Sequence, residues 1–412
     1  MQTSLTARYS SLTFTPDPLG DIIFDGIAQD AYKQNVAYAV QSDGAYKLSD
    51  THTLRSGVFL QSDHSISLTD SAVIALDAAG NQISDVPESI IDNGSKTEWI
   101  ESAYLQDEWK IAPAITLNYG LRFDTFTAFT SARQLSPRLN LVWQALDDTV
   151  VHTGYSRYLS PPPFELVGNK TVAEFANTTA AAPVTQADTP QAEQANYYDL
   201  GVQQKLSPRL TAGVDTYYKQ SHNLIDEGQF GAPIILTPFN YAHGKQYGAE
   251  FTANFTDEAL AAYGNLALQH AQGKQIDSAQ FNFSQAELDY IAGHYIHLDH
   301  EQQVTASGGV SYLWLGTRYS SDFLLGSGLR ADEMLADGSS IPNGAHLPYY
   351  TQINLGLSHQ LQLNNAGTLT ARFDVINALD KIYQIRNGTG VGVGAPQYGP
   401  RRGLFVGVSK SL

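Results

Sequence analysis

The sequence is poor in three features that would place it in a common class. It has no cysteine among its 412 residues, which excludes a disulfide framework and thiolate metal ligands. Charged residues make up 16% of it, whereas soluble domains usually carry roughly 25%. No apolar run approaches the ~20 residues that a membrane-spanning helix needs. The chain therefore fits neither an ordinary soluble domain nor a helical membrane protein.

The charge that is present is mostly negative, with a formal net charge of −17. This excess disfavours nucleic acid as a partner, because like charges repel. The first residues, MQTSLTARYSS, have neither the basic start nor the apolar core of a signal peptide. The segment from 4 to 14 already has a strand pattern, so we expect the sequence to begin within a folded structure.

The clearest positive signal is the alternation from Ile115 to Asp124. Apolar and polar residues alternate there without a break, as they do on a strand with one apolar and one polar face. We predict that Leu117, Tyr119, Leu121 and Phe123 face lipid. We predict that Asn118, Arg122 and Asp124 face the lumen of a barrel.

Similar segments recur along the whole chain and give about sixteen strands. They lie near 4–14, 35–48, 52–70, 98–111, 115–128, 136–146, 150–158, 195–206, 210–222, 247–256, 259–272, 299–314, 317–327, 349–361, 367–380 and 402–412. Short turns alternate with long connections near 15–34, 71–97, 159–194, 223–246, 273–298, 328–348 and 381–401. Bacterial outer-membrane barrels place short turns in the periplasm and long loops outside. We therefore expect the loop at 159–194 to be extracellular.

These patterns predict an all-β fold, namely a transmembrane antiparallel up-and-down β-barrel. Residues 1–412 would form one barrel domain that crosses the outer membrane of a Gram-negative cell many times, with lipid as its surroundings. A soluble β-sandwich or propeller is the alternative, although sixteen strands in short–long alternation are unusual in those folds.

Several segments resemble the barrel of TonB-dependent outer-membrane receptors. They are YLQDEWKIAPAITLNYGLRFD, SPRLNLVW, GYSRYLSPPPFELV, NYYDLGVQQKL, QYGAEFTANF, FDVINALDKIYQIRNG and GPRRGLFVGVSKSL. Their order along the chain is that of the family. Within them, Asn377, Asp380, Lys381 and Tyr383 match the family's turn before the last hairpin loop.

The resemblance also implies parts that have no counterpart in these residues. Family members carry an energy-coupling box and a plug ahead of the barrel, and barrels of outer-membrane transporters have 22 strands. We therefore expect about six strands to be missing, and contact with the inner-membrane TonB complex only through such an N-terminal part. The segment alone is not expected to carry out coupled uptake. Leu412 stands where the family usually ends on an aromatic residue.

The resemblance implies a transport receptor for ligand-gated, energy-coupled uptake of a ferric siderophore or a similar scarce nutrient. Binding residues concentrate on loops, and aromatic or basic side chains suit an anionic chelate through stacking and cation–π contact. The candidates are Tyr158, Phe164, Phe230, Phe239, Tyr241, His294, Tyr295, Tyr383 and Arg386. A passive porin-like channel and a non-functional receptor fragment are the alternatives.

Two further motifs predict no chemistry. His294 and His300 would lie ~20 Å apart on an extended strand, and His297 would point the other way, so we predict no metal site. The glycine-rich run from Gly388 to Gly394 is not followed by the helix that a phosphate-binding loop needs, so we predict an outer loop. No nucleophile is spaced to pair with a base. We therefore expect neither an enzyme nor a cofactor.

Overall fold

The computed structural model describes the chain except residues 164–168, 183, 185–187, 230–235, 364–366, 389–395 and 412. Its helices are α1 Gly20–Asp25, α2 Asn169–Glu174 and α3 Gln285–Gly293. No helix in this described part has the length and apolar character needed to cross a membrane. Most of the remaining described backbone is strand.

The strands are numbered in chain order. The first eleven are β1 Gln2–Phe14, β2 Ile27–Lys47, β3 His52–Val73, β4 Glu88–Ala112, β5 Ile115–Thr127, β6 Ser131–Leu146, β7 Thr149–Ser160, β8 Glu193–Ser207, β9 Leu210–Gln229, β10 Leu236–Thr256 and β11 Leu260–Ile276. The others are β12 Ile296–His297, β13 Val304–Trp314, β14 Thr317–Gly326, β15 Arg330–Met334, β16 Ser340–His346, β17 Tyr350–Leu363, β18 Gly367–Ile376, β19 Gln384–Arg386, β20 Gln397–Tyr398 and β21 Gly403–Ser411.

One 17-stranded sheet contains all of these strands except the two small hairpins β15–β16 and β19–β20. Strands that follow one another along the chain pair antiparallel, so the sheet is an up-and-down meander. Within the described residues β1 pairs with β2 alone and β21 with β18 alone, and the barrel wall stays open between them. The predicted fold class and the sixteen barrel strands are confirmed. The two-residue β12 is additional, as are the two small hairpins, which lie in connections predicted as loops.

Several strands are much longer than the sequence pattern predicted. β4 has 25 residues, although the sequence predicted only 98–111, and its partner β3 extends three residues past the predicted 52–70. For comparison, ~9–11 residues cross a membrane. Their ladder continues through the predicted loop at 71–97, where Ser71 pairs with Ile90. The prediction was wrong here because apolar alternation ends where lipid contact ends, while backbone pairing continues without it.

On β5 the two predicted sets of side chains lie on opposite faces of the sheet. Tyr119, Leu121 and Phe123 are 41%, 51% and 44% exposed on one face. On the other face Arg122 Nε donates to Asp124 Oδ1 at 2.7 Å, and its Nη2 donates to Ser102 Oγ at 2.8 Å. An outer wall of exposed apolar side chains and an inner wall of paired polar ones is the arrangement of a membrane barrel.

The long connections meet at one end of the sheet and pack on each other. A β-bridge joins Ala75 to Thr178, and Ala279 N donates to Asp188 O at 2.7 Å. Beneath them Val73 and Phe175 lie in a small buried cluster with neighbouring apolar residues. The loops therefore form a packed layer above the wall.

A second core lies where the alternation on β9 to β11 reverses. Tyr218 is exposed on the outer face, but Leu224 on the same strand packs on the inner side, since a Cβ at Gly244 would come 2.6 Å from it. Asn223 between them has a φ of 53°, and Gln275 on β11 a φ of 58°. A left-handed residue changes the direction of the following side chains. The buried cluster is Leu224, Phe239, Tyr241, Ile276, Ile291 and Ile296.

Candidate functional site

Two pairs of adjacent tyrosines place one ring on each side of the wall. Tyr198 and Tyr218 face outward, where they are 47% and 42% exposed and lie directly opposite each other. Since side chains alternate along a strand, Tyr197 and Tyr217 face the lumen. The inner surface of β7 to β9 therefore carries aromatic rings.

Tyr158 faces the same way, because Ser156, two residues before it, pairs with Tyr197. The three lumenal rings form a continuous row, which we call the tyrosine ladder: Tyr158, Tyr197 and Tyr217. The centroids of Tyr158 and Tyr197 are 6.3 Å apart in an edge-to-face arrangement, and those of Tyr197 and Tyr217 are 6.2 Å apart and nearly parallel. The guanidinium carbon of Arg138 lies 5.8 Å from the Tyr158 centroid. The ladder offers ring faces, hydroxyl groups and one cation to a molecule in the lumen.

Charged groups lie next to the ladder on the same strands. His152 Nε2 is 3.1 Å from Asp215 Oδ1 and 3.8 Å from Asp199 Oδ2. A side chain in place of Gly201 would collide with this group, since its Cβ would fall 2.1 Å from the Asp215 oxygen. The missing side chain makes room for one imidazole and two carboxylates, which give this wall a negative character.

The nine predicted ligand residues do not form one group. Tyr158 belongs to the ladder. Phe239 and Tyr241 are 2% and 1% exposed in the second core, so contact with a ligand would require this core to open. Phe164 and Phe230 lie outside the described residues.

The other four are in the loop layer and mostly engaged in contacts. Tyr383 stacks on Tyr350 with 4.4 Å between centroids. Arg386 Nη1 donates to Asp299 Oδ2 at 2.7 Å. Tyr295 is 40% exposed, with the Lys245 ammonium 4.1 Å from its ring centroid.

His294 ends α3, where its ring stacks on Tyr290 at 4.4 Å. The segment around it is helix α3 followed by the two-residue β12, and the extended strand assumed from the sequence is wrong. His294, His297 and His300 nevertheless have different partners. His300 Nε2 lies beside Arg386, while His297 Nδ1 is 2.9 Å from Glu301.

The turn that follows β18 is held by a buried asparagine. Asn377 is fully buried, and its Nδ2 donates to the carbonyl oxygens of Lys381 and Pro400, each at 2.9 Å. Asp380, with a φ of 51°, accepts a 2.8 Å hydrogen bond from Arg401 Nε. This hydrogen bond holds the pKa of the Asp380 carboxyl below its ordinary value. The matching turn residues thus fix the start of the last long loop.

Comparison with known proteins gives one family over most of the chain. Residues 2–378 match the family model "TonB dependent receptor-like, beta-barrel". No curated protein matches the sequence.

Solved structures share the fold at low identity. The ferripyoverdine receptor of Pseudomonas aeruginosa is 12% identical with a TM-score of 0.62, and the match covers 98% of this chain and 53% of that one. The ferric yersiniabactin uptake receptor FyuA of Yersinia pestis is 14% identical with a TM-score of 0.67, and the match covers 98% of this chain and 58% of that one. The copper transporter OprC is 14% identical with a TM-score of 0.67, and the match covers 98% of this chain and 61% of that one. The chain therefore spans little more than half the length of these proteins. By its family match, the chain belongs to the TonB-dependent receptors and is an outer-membrane β-barrel protein.

Proposed function

We propose that this chain forms the barrel of an outer-membrane transport receptor that admits a small metal chelate, such as a ferric siderophore. The tyrosine ladder is the observation that supports a ligand of this kind. Its rings are accessible from the lumen and close enough together to contact one planar, partly aromatic molecule. Arg138 at the end of the ladder provides a cation for an anionic ligand.

The same wall also supports a proposal about the size and charge of the ligand. The ladder extends over two successive ring contacts of 6.3 and 6.2 Å, which suits a ligand with more than one ring or chelating arm. The carboxylates of Asp199 and Asp215 lie two residues along the same strands from Tyr197 and Tyr217. A ligand that presents an anionic part to Arg138 and a cationic part to these carboxylates would match both charges.

The test compares two adjacent residues that face opposite ways. Tyr197→Leu removes a ladder ring, while Tyr198→Leu removes a ring of the same size from the outer face. The purified protein in detergent is titrated with ferric catecholates, ferric hydroxamates and copper chelates, and binding is followed by quenching of intrinsic fluorescence. We expect Tyr197→Leu to weaken the ligand that binds by about tenfold, the effect of losing one well-packed ring, and Tyr198→Leu to leave its affinity unchanged. Equal affinities in the two variants would contradict a role for the ladder.

A passive channel is a second candidate, because the lumenal face is lined with polar side chains that are partly exposed. Arg122 and Asp124, for example, have side chains that are 30% and 15% exposed. A water-filled pore has an interior of this kind. Planar-bilayer conductance separates the two functions, because a passive pore gives stable discrete openings without any ligand or energy source.

A further inference from the structure

Two histidines and a glutamate converge beside the loop layer, on the outer side of the wall. His270 lies opposite Tyr247, which in turn lies opposite the outward-facing Tyr218. His297 Nδ1 is 2.9 Å from Glu301 Oε2, and His270 Nδ1 is 3.8 Å from Glu301 Oε1. One nitrogen from each ring and one carboxylate oxygen all lie within 4.8 Å of one another. We call this group the His–His–Glu cluster.

The backbone explains why Glu301 points into this group. Between β12 and β13 the chain stops pairing with β11. The last backbone hydrogen bonds on either side of this gap are Leu298 N to Ala271 O at 3.0 Å and Gln269 N to Gln303 O at 2.9 Å. The Ala271 N–H between them faces the gap and donates to Glu301 Oε2 at 2.8 Å. The Glu301 side chain takes the place of a strand and is fully buried.

The two imidazoles lie beside this carboxylate for a simple reason of register. Gln272 pairs with His297 across β11 and β12, so His270, two residues along β11, lies on the same face as His297. Glu301 comes four residues after His297. The sequence did not reveal the group because His270 belongs to a different strand and gave no signal of its own.

We propose that the His–His–Glu cluster binds a divalent transition-metal ion such as Zn²⁺. Two imidazole nitrogens and one carboxylate oxygen are a known three-ligand set for zinc, with the fourth position left to water. The side chains of His270 and His297 are 38% and 22% exposed. His270 comes ten residues after the start of β11 at Leu260, or ~23 Å above the turn at ~3.3 Å per residue and a tilt near 45°, so an ion can reach the cluster at the outer edge of the apolar band. Small movements of the rings would bring all three donor atoms to ~2.0–2.2 Å from one ion.

Arg330 has two opposing effects on metal binding at this cluster. Its positive charge repels a cation, and its hydrogen bond orients the Glu301 carboxylate. Its Nη2 donates to Glu301 Oε1 at 2.6 Å, and its side chain is 4% exposed. Partners that hold a ligand carboxylate in place are typical of metal sites. Because the guanidinium carries a positive charge, we expect weaker binding than at a zinc centre without such a neighbour.

A metal at this position would join the wall to the connection that carries α3. His270 belongs to β11, whereas His297 and Glu301 lie at the end of that connection. Ile291 on α3 and Ile296 on β12 are buried in the second core. Zinc should therefore stabilise the packing of α3 against the barrel as well as occupy the three ligands.

The experiment titrates the purified full chain with Zn²⁺ against a competing chromophoric chelator. No siderophore is present, so the result does not depend on the proposed transport function. The variants are His270→Ala and His297→Ala. The control is the double variant His222→Ala/His243→Ala, which removes a second histidine pair on β9 and β10 with ring centroids 5.6 Å apart.

We expect one tightly competing equivalent of Zn²⁺ in the unchanged protein and at least a tenfold loss of affinity in each single variant. The control variant should retain the original affinity. X-ray absorption of the zinc complex should show two imidazoles in the first coordination shell, and one in either variant. Absence of a competing equivalent in the unchanged protein, an unchanged affinity in both single variants, or a loss as large in the control would each overturn the proposal.

Discussion

Replacing Leu121 by arginine is the most direct test of which face of the wall meets lipid. Leu121 is 51% exposed on β5 and lies opposite Leu105 on β4. It comes about seven residues after the turn at Ala114, which places it ~16 Å above the turn at ~3.3 Å per residue and a tilt near 45°. This is close to the middle of the apolar band.

The expected cost follows from that depth. An arginine on the lipid face near the midplane destabilises a barrel by ~2–4 kcal/mol, and far less on the lumenal face. The neighbouring residue, Arg122, is already an arginine, and the barrel accommodates it because it faces the lumen and donates hydrogen bonds to Asp124 and Ser102. We therefore expect Leu121→Arg to lose ~2–4 kcal/mol and Asn118→Arg, on the lumenal face, much less.

The measurement is urea-dependent folding of the full chain into lipid vesicles, followed by tryptophan fluorescence. Leu121→Ala is a third variant, which separates the loss of the leucine from the introduction of charge. If Leu121→Arg and Asn118→Arg lose the same free energy of unfolding, the assignment of the two faces is refuted. A loss in Leu121→Ala as large as in Leu121→Arg would show that packing, and not lipid contact, determines the effect.

Three other predictions concern the loop end of the barrel. A cysteine introduced at Ala181, in a chain that has none, should react with an impermeant reagent on intact cells, because we predict that the loop at 159–194 is extracellular. Gly273→Ala should cost ~1–3 kcal/mol, because its Cβ would fall 2.5 Å from a buried tyrosine ring, whereas Gly264→Ala has no atom within 4 Å and should be neutral. Asp380→Asn should remove part of the acid sensitivity of unfolding. Arg401 lowers the pKa of that carboxyl in the folded chain, so its stabilising effect is present at neutral pH and is lost as the pH falls through the lowered pKa.

Each of these has an outcome that contradicts it. Labelling of the introduced cysteine only after cell lysis would invert the topology. Equal stability of the two glycine variants in urea unfolding would show that the second core can move aside. A stability–pH profile of Asp380→Asn that parallels the original down to acid pH would mean that the carboxyl contributes nothing there.

The fold was predictable because, along a membrane strand, lipid-facing apolar residues alternate with lumenal polar ones. Alternation at Ile115–Asp124 gave β5 with its two faces, and the short turns gave the order of pairing. The same signal fails above the membrane, where both faces of the strand contact water or loops. For that reason the paired ends of β3 and β4, where Ser71 lies opposite Ile90, were predicted as loop, and helix α3 was not predicted.

The candidate sites were less predictable because they depend on contacts between strands. Tyr158 was identified from its aromatic character near a loop, but Tyr197 and Tyr217 were not, although each stands beside a second tyrosine that faces outward. Phe239 and Tyr241 have the same character and are buried, since Asn223 marks a change of facing that the sequence does not show. His297 was considered without His270, whose proximity follows from register.

The length of the strands has a consequence for what can approach the lumen. A strand of 25 residues such as β4 is ~80 Å long, or ~55 Å high at a tilt near 45°, against an apolar band of ~25 Å. The wall at this side of the barrel therefore stands tens of ångströms above the lipid surface and forms one side of a vestibule. A small solute can diffuse through this vestibule to the tyrosine ladder, whereas a globular protein wider than the barrel would first meet the rim and the loop layer.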